Sequence, residues 1–254
     1  MNQLFPWPLV CGLALLVAAC TSGNRDVRDY YFPALDLQGG KVYVYDLPAG
    51  DSSAPEYWYC RGIVRDSGIF LSCTNYDQTF EIRQITREKL VKSGALLRDY
   101  FLYEPDSTRS TLVQVPTRVA SPNLFPFQVT DSLGVFLFSL SYSPPSSSGA
   151  TIYLIRNRRF LGDGPVFTFG NKSYPTIRFG LREAVGYEQE GAAEIEGAGE
   201  EWYARGLGLV YRSMHYGGES GFTKTFQLRE IISMQELEAR AKNVLTKDSS
   251  ETPQ

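Results

Sequence analysis

The sequence predicts a mainly β protein of the α+β class: a curved antiparallel sheet or sheets, or a partly open barrel or sandwich, with one C-terminal helix packed on the sheet. Composition is the first observation, because 16 Tyr and 15 Phe against 3 Met favour strands. The second is a series of short alternating or β-branched runs bounded by turn residues. The third is that the longest helical pattern stands near the C-terminus.

The N-terminal region predicts export and a lipid anchor. The apolar run at 9–19 is shorter than the roughly 18 residues that a membrane-spanning helix needs, and it fits a signal peptide covering residues 1–19. Val17-Ala18-Ala19-Cys20 resembles the lipobox of bacterial lipoproteins, which implies cleavage before Cys20 and lipidation of that residue. The alternative is an ordinary cleaved signal with an incidental cysteine. By resemblance to lipoprotein sorting, Thr21 in place of Asp favours the outer membrane.

The polar residues that follow are expected to form a tether over residues 20–33, ahead of a single β-rich domain at 34–246. Within that domain, strand-like runs flank a turn signal at 65–68 and predict a hairpin. A two-residue loop would pair positions that sum to 133, which places Cys60 opposite Cys73 and predicts a disulfide between them. A glycine bulge at Gly68 would shift this pairing by one residue, and two unpaired buried thiols are the other alternative.

The chain also contains two similar segments. Trp-Tyr-Cys-Arg-Gly at 58–62 resembles Trp-Tyr-Ala-Arg-Gly at 202–206, and the sequence at 79–85 resembles that at 225–231. The segments 79–85 and 225–231 each precede a helical pattern. The first pattern is short, at 86–90, and the second is longer and starts at Ser233, where Ser233 and Glu236 form a capping-box signature. The hypothesis is a pair of pseudo-repeat units at about 56–97 and 200–245, and the alternative is chance similarity between short strands.

Several further elements complete the expected organisation. A Ser- and Pro-rich stretch at 143–149 is either a hairpin tip or a boundary between halves, and the glutamate-rich stretch at 188–201 is expected to be a solvated loop. Residues 247–254 are expected to be a disordered tail. Additional strands are expected at 111–119, 135–142, 151–156, 166–169 and 176–181.

Functional motifs are scarce. A net charge of −3 without a basic stripe argues against nucleic-acid binding. His215 is the sole histidine and lies in an expected strand, and Gly217 to Gly221 reads as a turn rather than as a nucleophile loop. No catalytic, cofactor-binding or metal-binding residues are therefore predicted, and a calcium site in the glutamate-rich stretch matches no known spacing.

The remaining expectations concern function. The stretch Trp-Tyr-Ala-Arg-Gly-Leu-Gly-Leu-Val at 202–210 resembles a strand of uncharacterised bacterial envelope lipoproteins, and a curved sheet covered by a helix resembles the lipoprotein carrier and acceptor family, which hold acyl chains in an apolar cavity. We expect a lipid-anchored, non-catalytic envelope protein that binds a partner or stabilises an assembly. The alternatives are a carrier of lipid or another apolar ligand and a hydrolase of envelope polymer.

Overall fold

The computed structural model describes residues 24–46, 55–106, 111–130, 134–145, 149–188, 194–218 and 221–250. Twelve antiparallel strands form a closed barrel in the order β2, β3, β4, β5, β6, β7, β9, β10, β13, β14, β15 and β16, and β16 pairs with β2 to close the ring. Two small sheets, β1 with β8 and β11 with β12, complete the β structure. The bounds are β1 Arg25–Asp26, β2 Lys41–Asp46, β3 Glu56–Arg65, β4 Gly68–Tyr76, β5 Ile82–Leu90, β6 Gly94–Asp106, β7 Thr111–Pro126, β8 Gln128–Val129, β9 Val135–Tyr142, β10 Thr151–Asp163, β11 Phe167–Phe169, β12 Lys172–Tyr174, β13 Thr176–Glu188, β14 Glu194–Ala204, β15 Gly208–Tyr216 and β16 Phe222–Ile232.

The mainly β prediction is confirmed, and the barrel is closed rather than partly open. The pairing of β16 with β2 closes the ring, and alternation along each strand then turns one set of side chains into the barrel and the other set outward. Along β10, Arg156, Arg158 and Phe160 face inward, whereas Ile155 and Leu161 are exposed on the outer face. The expected hairpin across the Ser- and Pro-rich stretch is present as the β9–β10 pair.

The β3–β4 hairpin has the register that the sequence predicted. Cys60 pairs with Cys73, and the positions of all nine pairs sum to 133. The two cysteines form a disulfide with their Cα atoms 4.1 Å apart, so this prediction is confirmed. Gly68 adopts a φ of 127° and ends the turn without shifting the register.

Residues 27–37 plug one end of the barrel, and here the prediction of a polar tether over residues 20–33 is wrong for its second half. Val27, Tyr30 and Tyr31 are buried, and a single 3-10 turn covers Arg28–Tyr30. These apolar and aromatic side chains cover the core at that end, which is why the segment folds onto the barrel instead of extending from it. We call this end the plugged end and the opposite end the far end.

Backbone hydrogen bonds hold the plug in place. The N–H of Gly62 donates to the carbonyl of Leu37, and the N–H of Gly206 donates to the carbonyl of Asp29. A Cβ at Gly62 would overlap the backbone of Ala34, so only glycine allows the plug to approach β3 this closely. The plug is therefore fixed to strands on two sides of the ring.

The two similar segments are not equivalent in the structure. The short helix expected at 86–90 is wrong, because these residues belong to strand β5 and alternate, with Thr86 and Glu88 inside the barrel. Trp58 lines the barrel interior, whereas Trp202 lies between the inward-facing Glu201 and Tyr203 and points outward. Both segments lie in a run of three consecutive antiparallel strands, β3 to β5 and β14 to β16, and the pair of pseudo-repeat units stays a prediction.

The glutamate-rich stretch contains strand β14 rather than a loop throughout. Its glutamates at 194, 196 and 200 lie on the outer face, and Gly197 and Gly199 occupy inward positions. A Cβ at Gly197 would lie 2.5 Å from a ring carbon of Tyr216, so the strand needs small residues on its inner face. Glycine and glutamate both lower strand propensity, and packing overrides that preference here.

Helix α1 covers Met234–Ser250 and begins with the predicted capping box. The N–H of Glu236 donates to the Ser233 hydroxyl, and the Glu236 carboxylate accepts from the Ser233 N–H. Leu237 packs with Val42, Val44 and Ile232 on the outside of the barrel, so the predicted docking of a C-terminal helix on the sheet is confirmed. The helix includes residues 247–250, which the sequence assigned to a disordered tail; 251–254 lie outside the described residues.

Candidate functional site

The barrel interior contains a cavity of about 200 Å³ near its centre. Aromatic rings line part of its wall, among them Tyr45, Trp58 and Phe226. Five charged side chains also line the cavity, and Glu183 binds two of them from beside it. We call these six residues the lumen cluster: Glu88, Arg156, Arg158, Glu183, Glu201 and Arg212. Charges inside a barrel need partners, because an unpaired buried charge is strongly unfavourable.

Arg158 and Glu201 form the most deeply buried pair of the lumen cluster. The Arg158 guanidinium donates from Nε at 2.8 Å and from Nη2 at 3.3 Å to the two carboxylate oxygens of Glu201, and from Nη1 at 2.6 Å to the carbonyl of Leu124. Tyr203 donates its hydroxyl to Glu201 at 2.9 Å. Burial alone would raise the pKa of Glu201, but the Arg158 and Arg212 guanidinium groups lower that pKa to about 2.

Glu183 collects three donors on the adjoining part of the wall. Arg156 donates from Nε at 2.6 Å and Arg212 from Nη2 at 3.1 Å, both to Oε2, while the Tyr216 hydroxyl donates to Oε1 at 2.7 Å. Burial opposes ionisation of Glu183, yet these arginines lower the pKa of its carboxyl below the usual value. Burial, together with the Glu183 charge, raises the pKa of Tyr216 to about 12.

Glu88 connects the lumen cluster to the plug. The hydroxyl of Tyr31, in the plug, donates to Glu88 Oε2 at 2.5 Å. Burial raises the pKa of Glu88 to about 7, and the hydrogen bond from Tyr31 only partly offsets this effect. Glu88 is thus the member of the lumen cluster whose charge changes near neutral pH.

The chemistry open to this cavity is recognition of polar groups. Arg156 and Arg212 line the cavity, and their side chains remain 15% and 16% exposed. In the described ranges, no group of three or more His, Cys, Asp and Glu side chains is placed to hold a metal ion. No helix among the described residues is long and apolar enough to cross a bilayer.

The residues singled out from sequence fall in different places. Cys20 lies outside the described residues, and the Cys60–Cys73 disulfide forms part of the lumen wall. His215 is exposed on β15, where its ring nitrogens lie 3.0 Å from the Thr223 hydroxyl and 2.7 Å from the Gly218 carbonyl. Where the structure describes these residues, none of their side chains forms a hydrogen bond or ion pair with the lumen cluster.

Sequence reasoning missed the lumen cluster. Its signal was present in β10, where Arg156 and Arg158 share the alternation phase of Ile152, Leu154 and Phe160. This shared alternation indicates that both arginines lie on the inward face. The sequence predicted a strand only over 151–156, so Arg158 was not recognised as part of that face. Glu201 was missed because it falls in the stretch expected to be a loop.

Comparison with known proteins gives a likeness of fold. No family model matches the chain, and no curated protein matches it. The crystal structure of a candidate lipoprotein from Parabacteroides distasonis ATCC 8503 resembles it with a TM-score of 0.52 at 14% identity, covering 80% of this chain and 97% of that one. At this identity the similarity concerns the fold alone.

Proposed function

We propose that this chain is a lipid-anchored, non-catalytic binding protein of the bacterial envelope, attached through Cys20 and sorted to the outer membrane. The observation that carries the proposal is the lipobox-like stretch Val17-Ala18-Ala19-Cys20, placed five residues ahead of the point where the described fold begins its first strand at Arg25. The fold shared with a candidate lipoprotein supports the same class. A binding role is supported by the paired state of the charged groups inside the barrel.

The anchor is tested by export of the full chain with Cys20→Ala. We expect the wild-type protein in the membrane fraction, labelled by a metabolic fatty acid, and the variant unlabelled and released. Cys11→Ala is the matched control, because Cys11 lies within the proposed signal peptide and its substitution should leave labelling unchanged. Fatty-acid label on the Cys20→Ala protein would contradict the assignment.

The lumen cluster favours a scaffold over a carrier of apolar ligands. Ligand pockets usually occupy about 300–1,000 Å³, and the central cavity holds about 200 Å³ between ionised side chains. An acyl chain placed beside Arg156 and Arg212 would desolvate their guanidinium groups without offering acceptors. We therefore favour a partner-binding protein over the lipid carrier, and over the polymer hydrolase, whose reaction would need free carboxyl groups.

A second candidate is a binder of a small polar or anionic molecule in the lumen. Arg156 and Arg212, which line the cavity and are 15% and 16% exposed, favour it, because guanidinium groups can donate to a carboxylate or phosphate. Native mass spectrometry of residues 21–254, purified without detergent, separates the candidates. A retained adduct of small polar mass supports the lumen site, an unliganded chain supports the partner-binding scaffold, and an adduct of lipid mass would overturn both in favour of the carrier.

A further inference from the structure

We infer that the plugged end of the barrel, together with the adjoining outer wall of β3 to β6, binds directly to an anionic phospholipid surface. This inference deepens the proposed function by giving the anchored barrel a defined orientation. The orientation rests on the proposed lipid anchor. Binding of the surface to phospholipid does not, because it can be measured on a chain without lipid.

The first observation is the opposite charge of the two barrel ends. Exposed basic residues at the plugged end outnumber the exposed acidic ones there, which are Asp26, Asp29, Asp36, Asp66 and Asp163. Acidic residues lie at the start or end of strands at the far end. The basic residues include Arg28, Arg65, Lys92 and Lys172. The acidic residues include Glu81, Glu104, Glu194 and Glu196. With an overall charge of −3, a chain arranged in this way is attracted to an anionic surface at one end and repelled at the other.

The second observation is a pair of neighbouring grooves on the basic side. One groove of about 670 Å³ lies at the plugged end and is lined by Arg28, Lys92 and Arg205, together with Asp29 and Asp36, among mainly apolar side chains. The other, of about 510 Å³, lies on the outer wall and is lined by Arg61, Arg65, Arg87 and Arg98 with a single acidic residue, Asp99. Phosphate groups of lipid headgroups are the acceptors that such arginine groups suit.

Free donors remain in these grooves. Arg87 lies 3.8 Å from Asp99 and beside the ring of Phe101, but Arg65 and Arg98 have neither an ion pair nor a side-chain hydrogen bond within the part of the chain that the structure describes. Their guanidinium groups are exposed and can bind an external anion without breaking an internal contact.

The third observation is that apolar side chains are exposed among the basic residues of the plugged end; Tyr187, Ile195 and Phe222 are exposed at the far end, where acidic residues surround the strand termini. Leu35, Val64 and Val166 are 57%, 53% and 66% exposed, and each lies in the plug or next to a strand terminus at the plugged end. Apolar side chains flanked by Lys and Arg are typical of proteins that lie in a membrane interface. The combination favours a lipid surface over a soluble anion.

The fourth observation is where the chain enters the fold. Arg25 follows Cys20 by five positions, and a fully extended chain spans at most about 18 Å over that distance. A lipid on Cys20 would hold the plugged end close to the bilayer, within about two Debye lengths at physiological salt. The basic grooves would then face the headgroups.

Vesicle co-sedimentation tests the inference with residues 21–254, a range that contains every described residue and lacks the lipid site. Vesicles of phosphatidylcholine with 30% phosphatidylglycerol are compared with vesicles of phosphatidylcholine alone. We expect binding to the anionic vesicles that weakens as salt is raised, and little binding to the neutral ones. Equal binding to both vesicle types, or none to the anionic vesicles at low salt, would overturn the inference.

Charge reversal locates the surface. Each basic residue near an anionic membrane strengthens binding about fivefold, so Arg65→Glu with Lys92→Glu should weaken binding at least about 25-fold. Arg118→Glu with Arg182→Glu is the matched control, because both residues are exposed on strands β7 and β13 and the net charge changes equally. Circular dichroism verifies that both variants are folded. Equal weakening in the two variants would show a non-specific charge effect and refute the surface.

The two hypotheses fail in different ways. If Cys20 is not lipidated, fatty-acid labelling of the full chain fails while the vesicle result on residues 21–254 stands. If the basic surface is wrong, the vesicle assay fails while labelling at Cys20 is unaffected. Either result can therefore be assigned to one hypothesis.

Discussion

Glu88→Gln should make the protein more stable than the wild type at high pH and leave it nearly unchanged at low pH. Glu88 is buried inside the barrel, and its pKa is raised from 4.5 to about 7 by burial. In the unfolded chain the same carboxyl ionises near 4.5. Between these two values the folded state binds the proton and the unfolded state releases it, so wild-type stability falls as pH rises through this window.

The magnitude follows from the two pKa values. A difference of one in pKa corresponds to about 1.4 kcal/mol, so ionisation of buried Glu88 should lower the free energy of unfolding by about 3 kcal/mol once the pH exceeds 7. A glutamine has the same shape, stays neutral and still accepts a hydrogen bond from Tyr31 through its amide oxygen. The variant should therefore lack this loss.

Urea unfolding at pH 4 and pH 9, with the disulfide intact, measures the effect. The difference in unfolding free energy between Glu88→Gln and wild type should move by about 3 kcal/mol in favour of the variant between the two pH values. Glu196→Gln, on the exposed outer face of β14, is the matched control and should show no such change. An unchanged difference between variant and wild type across this pH range would refute the reasoning about burial of Glu88.

Two further predictions concern stability. Arg158→Met should lower the free energy of unfolding by about 3–5 kcal/mol in urea titrations, because it leaves Glu201 charged and buried without its main partner; adding Glu201→Gln should restore most of the loss, and a loss below 1 kcal/mol would contradict the pairing. Joint replacement of Cys60 and Cys73 by alanine should cost about 3 kcal/mol, measured the same way, since the disulfide closes a loop with a sequence separation of 13; an unchanged midpoint in the double variant would show that the cross-link contributes nothing.

Local patterns in the sequence predicted the strands, the β3–β4 register and the capped helix, because each depends on neighbours along the chain. Residues 65–68 specify a tight turn, and alternation on either side then determines that Cys60 meets Cys73. Ser233 and Glu236 specify the start of α1 through hydrogen bonds within one turn. These features need no knowledge of the rest of the fold.

The lumen cluster could not be predicted in the same way, because its members meet only when the ring closes. Arg158 and Glu201 lie 43 residues apart, and nothing near either residue identifies the other as its partner. The local sequence around Glu88 is typical of the start of a helix. Its position inside the barrel depends on contacts such as that with Tyr31, which lies 57 residues earlier in the chain. The plug was missed for a related reason: Val27, Tyr30 and Tyr31 are apolar or aromatic, but no neighbour along the chain identifies the barrel end that buries them.

The pairing of β16 with β2 determines when the barrel can finish folding. Strand β2 ends at Asp46, but its partner ends at Ile232, so the seam cannot form until nearly the whole chain is available. Until then the growing sheet has two unpaired edges, and contacts so distant in sequence form slowly. The export proposed above would therefore leave a long interval in which a chaperone could bind, and the last strand to arrive removes both edges at once.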